Sequence, residues 1–138
     1  MNNIVITINI LSNGFAIPGI IKCYTHKDGL GLILTVCSFL TSCLMHITET
    51  KHDIIPLCFE EYSKIFLITD NVLILAIVLY GIYNMKRFPN EIILETSAIF
   101  YIGILALFLG EKSSDLLFYL ISHTIWHYCL FKSLYNIL

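Results

Sequence analysis

Charge is what this sequence has least of. Only 13% of its 138 residues are Asp, Glu, Lys or Arg, while 57% are apolar and the mean hydropathy is +0.81. Soluble domains carry about 25% charged residues, so a water-soluble globular fold is excluded. A net charge of −2 with no basic stripe argues against nucleic acid as a partner. No repeat, low-complexity tract or linker divides the chain, and residues 1–138 read as a single integral membrane domain. The five cysteines are odd in number and include no CxxC pair, which argues against both a disulfide framework and a thiolate zinc site. Cys37, Cys43 and Cys129 lie within apolar runs, where they serve most simply as small packing residues. Cys23 adjoins Lys22 at an expected membrane boundary, a setting in which packing and reversible palmitoylation are both open. Cys58 falls in a polar connection as a free thiol.

What the sequence has in abundance is long apolar runs. A hydrocarbon core of roughly 30 Å needs about 20 apolar residues per helix. On that ruler the spans are Ile4 to Ile21, Gly29 to Thr48, Ile65 to Met85, Ile92 to Leu109 and Leu116 to Leu134. The runs are apolar on every face rather than alternating, so a membrane barrel is excluded. The expected fold class is all-α, a polytopic transmembrane helical bundle of about five spans. The first span is the weakest, because Asn9, Ser12, Asn13, Gly14 and Pro18 interrupt it and Pro18 predicts a kink. It lacks the basic n-region and small-residue cleavage site of a secretory signal, so it is expected to be retained.

Lys22 and Lys27 follow the first span, Lys86 and Arg87 follow the third, and Lys132 lies near the end of the fifth. The connection "TETKHDIIPLCFEEYSK" is richer in acids. This distribution predicts an N-terminus outside or in a lumen and a cytosolic C-terminus. Plasma membrane and ER or Golgi are not distinguished.

Polar groups inside the spans are the informative ones, since each costs a few kcal/mol unless it finds a partner in the bundle. In "LTSCLMHIT", Ser42 and His46 are four residues apart and share a helix face. "IFLITDNVLIL" carries Asp70 about one turn inside the third span. "YLISHTIWHYCL" holds His123 and His127, again at the spacing that sets two rings side by side. Glu95 lies toward the opposite membrane face. With five spans, Ser42, His46, Asp70, His123 and His127 come to one depth, roughly 5 to 15 Å below the outer surface at 1.5 Å per residue.

Three imidazoles, a carboxylate and a hydroxyl at one depth suit zinc with an open coordination position for water. Asp70 is then the candidate base and Ser42 the candidate donor to a developing oxyanion. The spacing leaves a second reading open, in which His123 and His127 hydrogen-bond Asp70 and a backbone carbonyl with no metal. Serine in a membrane helix commonly bonds the carbonyl one turn back, which is the plain reading of Ser42. His26 and His52 fall in connections and are expected to be solvated, and Trp126 is expected to pack.

The order "SCLMH", "ITDN" and "SHTIWH" resembles the CREST superfamily of membrane hydrolases, which includes alkaline ceramidases, adiponectin-type receptors and Per-type GPI-lipid remodelling proteins. "HTIWH", with an acidic connection and a tyrosine before the aspartate, is most similar to the myomaker-like branch. The resemblance runs over Leu34 to Asn71 and Leu116 to Ser133. It implies zinc on His46, His123 and His127, with Ser42 and Asp70 beside the ion. It also implies a seven-helix core, of which this chain is two helices short, so that a lipid cavity is left open or is completed by a second copy in a homo-oligomer. Two functions follow as expectations. One is a zinc-dependent intramembrane hydrolase cleaving an amide or ester bond of a membrane lipid. The other is a non-enzymatic membrane-remodelling or fusion-type protein whose zinc is structural.

Overall fold

The apolar runs wind into helices of the length a bilayer demands. The computed structural model describes residues 2–48 and 60–138. His52 and Cys58, read from the sequence as a solvated ring and a free thiol, lie outside the described residues. The elements are α1 (Asn2–Ser12), α2 (Ile17–Thr25), α3 (Gly29–Ile47), α4 (Ser63–Met85), α5 (Asn90–Lys112) and α6 (Leu116–Ile137). There is no strand among the described residues, and the all-α class holds.

The first span runs as one helical segment, Asn3–Thr25, but its hydrogen bonding is interrupted. Pro18 has no N–H to give the Gly14 carbonyl, and the Ile17 N–H takes that acceptor instead, one residue early. The result is a 3-10 turn, Asn13–Ala16, between α1 and α2. The break therefore falls just ahead of the proline. Asn9 and Asn13 are fully buried there and Ser12 nearly so, with the polar residues of a weak span turned into the bundle.

Each turn is closed by named groups. After α2, Lys27 adopts φ 58, the Lys27 N–H donates to Tyr24 O and the Asp28 N–H to Cys23 O. This is the paired bonding of a left-handed helix stop. Asp28 then caps α3 by accepting from the Gly31 N–H at 3.0 Å, and its other oxygen accepts from the Tyr80 hydroxyl of α4 at 2.6 Å. The turn encloses Cys23, which is 1% exposed, so the palmitoylation reading is set aside in favour of packing. Asp115 caps α6, accepting from the N–H groups of Leu117 and Phe118. At the other end of α6, Lys22 Nζ donates to the Tyr135 carbonyl at 2.7 Å.

Four segments are long and apolar enough to cross a membrane: Asn3–Thr25, Gly29–Ile47, Ser63–Met85 and Asn90–Lys112. The fifth expected span differs in kind. At 22 residues α6 has the length, but its histidines and other polar residues keep it out of that group. It is instead the centre of the bundle, with α1, α2, α4 and α5 all packing on it. Its tightest neighbour is α5, where glycine permits close approach: a methyl on Gly103 would come within 2.7 Å of Cys129 Cβ, and one on Gly110 within 2.8 Å of Ser122 Cβ. The consecutive helices α4 and α5, by contrast, hardly touch. A cleft floored by α6 runs between them.

Candidate metal centre

His46 closes α3, and Thr48 just beyond it ends the helix by bonding back to the carbonyls of Leu44 and Met45. Across from it, the capped start of α6 sets the phase that turns His123 and His127 inward. The Nε2 atoms of His46 and His123 are 3.1 Å apart. Two nitrogens on a tetrahedral zinc are separated by roughly 3.3 Å, given bonds near 2.05 Å, so this pair already stands at ligand spacing. One nitrogen from each of His46, His123 and His127 falls within 4.8 Å of the others. Ring centroids lie 4.5 Å apart for His123 and His127 and 5.4 Å apart for His46 and His127. All three are buried, His46 completely. This group of three imidazoles can hold a metal ion.

The surroundings hold the rings in place. The Tyr119 ring lies 5.3 Å from that of His123, and Phe131 lies 6.3 Å from His127. Trp126 packs against Gly103 and stands 6.2 Å from Phe100, the packing role expected of it. His26 and Glu95 are exposed and take no part.

Asp70 is 5% exposed, and its Oδ1 has no hydrogen-bond partner among the described residues. Together with His123, His127, Trp126 and Tyr119 it lines a cavity of about 540 Å³ between α4, α5 and α6. Lys64 and Glu111, both exposed, stand at its lip. Ser42 is buried on the same face of α3 as His46, one turn earlier, but is not among the cavity-lining residues. The structure thus brings the three histidines together with Asp70 beside them and sets Ser42 behind.

One participant escaped the sequence reading. Ser12 Oγ lies 2.6 Å from His127 Nδ1, tying the broken first span to the cluster. Asn9, Ser12 and Asn13 recur at the three- and four-residue spacing of a single helix face. That stripe was the available signal, and it meets the same test of polar groups sharing a face within a span that selected Ser42 and His46.

Comparison with protein-family models, with curated proteins and with solved structures finds no match to this chain.

Proposed function

We propose that this protein is a zinc-dependent hydrolase that cleaves an amide or ester bond of a membrane lipid at the histidine cluster. The observation that carries the reading is the cavity of about 540 Å³ reaching His123, His127 and Asp70 within the bundle. Its volume is in the range of small-molecule sites, which a purely structural metal does not need. A second cavity of about 340 Å³ follows along the same three helices, lined by Ile77, Phe100, Ile104, Leu130 and Ile137. It suits an alkyl chain. The exposed Lys64 and Glu111 at the first cavity's lip suit a polar headgroup.

Three nitrogen donors favour zinc over magnesium or calcium, which prefer oxygen. Bound there, zinc supplies a Lewis acid and a water activated near neutral pH. The chain's residues do the rest. The buried, unengaged Oδ1 of Asp70 accepts the proton of the attacking water and returns it to the leaving amine or alkoxide. Ser42, on the His46 face, is the candidate donor to the oxyanion. The resemblance to the CREST superfamily points the same way.

The orientation we propose puts the N-terminus outside or in a lumen and the C-terminus in the cytosol. Lys22 and Lys132 both lie over the Tyr135 ring, and Arg87 shares a cavity with Leu138, so these three basic residues gather at the end away from the histidines, against Lys64 at the histidine end. Tags at the two termini should be reached from opposite sides; finding both on one side would overturn it.

The activity is tested in liposomes with ceramide-like and phospholipid substrates. Asp70→Asn should keep zinc and fold while losing on the order of a hundredfold in turnover. Wild-type protein that holds zinc yet hydrolyses none of these lipids would overturn the enzyme reading and leave a metal that pins helices.

A further inference from the structure

We propose that Ser12 is a positioning residue for the metal centre, holding His127 in the tautomer that carries its proton on Nδ1 and presents the Nε2 lone pair to the ion. This rests on reading the histidine cluster as a metal centre.

A serine hydroxyl has one hydrogen to give, and Ser12 Oγ makes two short contacts. It is 2.7 Å from the Asn9 carbonyl oxygen and 2.6 Å from His127 Nδ1. A carbonyl only accepts, so the Ser12 hydrogen goes to Asn9 O. If it went to the imidazole instead, two oxygen lone pairs would face each other at 2.7 Å with no proton between them. Both contacts are satisfied only when Nδ1–H of His127 donates to Ser12 Oγ. A neutral imidazole protonated on Nδ1 leaves Nε2 as its acceptor, the form a metal requires.

The local backbone makes this arrangement. Ser12 is the last residue of α1, where the 3-10 turn begins, and the Asn9 carbonyl also receives Asn13 Nδ2 at 3.2 Å. Two side chains hold that carbonyl, and the hydroxyl is anchored on it. Asn9 and Asn13 are fully buried and Ser12 nearly so, so no bulk water competes. The Phe15 ring meets Tyr128 edge-on at 5.4 Å, pressing this segment against α6 beside His127.

His127 differs in this from its two fellows. The 3.1 Å contact between His46 and His123 is a hydrogen bond that needs a proton on one Nε2, which must leave before both can ligate. His127 already presents its lone pair.

The test uses the full chain in detergent or nanodiscs. Ring ¹⁵N NMR of the zinc-free protein should show His127 in the Nδ1–H form in wild type and in Ser12→Thr, with the Nε2–H form populated in Ser12→Ala. Zinc affinity, measured against a competing chelator, should fall roughly 10- to 100-fold in Ser12→Ala and stay within a few-fold in Ser12→Thr. Should Ser12→Ala fail to fold, wild type and Ser12→Thr still decide the tautomer. An Nε2–H ring in wild type, or an unchanged tautomer and affinity in Ser12→Ala, would overturn the proposal. A wild type that binds no zinc but shows the Nδ1–H form refutes the metal centre and upholds the Ser12 lock. One that binds zinc but shows the Nε2–H form does the reverse.

Discussion

Helices α5 and α6 are nearly equal in length, 23 and 22 residues, and lie against each other for most of it, yet they face opposite surroundings. In α5 only Thr96, Gly103 and Gly110 are buried. In α6 eleven residues are, among them Tyr119, His123, Trp126 and His127. The apolar helix is the outside of the molecule and the polar one its core. In water, burial selects apolar side chains; here lipid accepts the apolar faces of α5, and burial takes in small residues for close approach and polar ones with bonding partners beside large apolar ones such as Leu130 and Phe131.

Substitutions can break or sharpen this contrast. The largest effect is expected at the polar core of α6. On the proposed reading, His123→Ala and His127→Ala each remove one of the three imidazoles, and zinc affinity should fall by more than the roughly 10- to 100-fold that losing an outer-shell partner costs. Equilibrium competition with a chelator measures it, and a variant that still binds zinc like wild type would dissolve the distinction between the two helices. A smaller effect belongs to the seam. Gly103→Leu forces a side chain against Cys129 and Trp126 and should destabilise the bundle by about 1–3 kcal/mol, read from unfolding in mixed detergent. The smallest belongs to the lipid face. Leu105, 58% exposed on α5, should tolerate alanine within about 0.5 kcal/mol. Leu130→Ala, at 3% exposed on α6, should cost about 2 kcal/mol or more. Equal costs at the two leucines would remove the contrast.

The sequence made the helices and the three clustered histidines legible for the same reason: a fixed rise per residue converts span boundaries into depths. His46, His123, His127 and Asp70 could be placed together from the ruler alone. Ser12 was not legible by that route, because hydropathy averages a span over its circumference and a polar stripe registers only as a weaker run. The partner of α5 was also hidden. The short connection from Met85 to Asn90 suggests that α4 and α5 pair, but Gly103 and Gly110 let α5 approach α6 instead, and side-chain steric fit overrides proximity in sequence. Cys23 stood at an expected boundary with packing and palmitoylation both open, and the left-handed turn at Lys27 closes over it.

The polarity of α6 carries a consequence for how the protein is made. Four segments can leave a translocation channel for lipid on their own hydropathy, and α6, synthesised after them, is the one that does not qualify. Its buried His123 and His127 find their polar partners, His46 and Ser12, on helices made before it. The histidine group therefore cannot form until α6 is in place, and placing α6 and bringing the three rings together are one step.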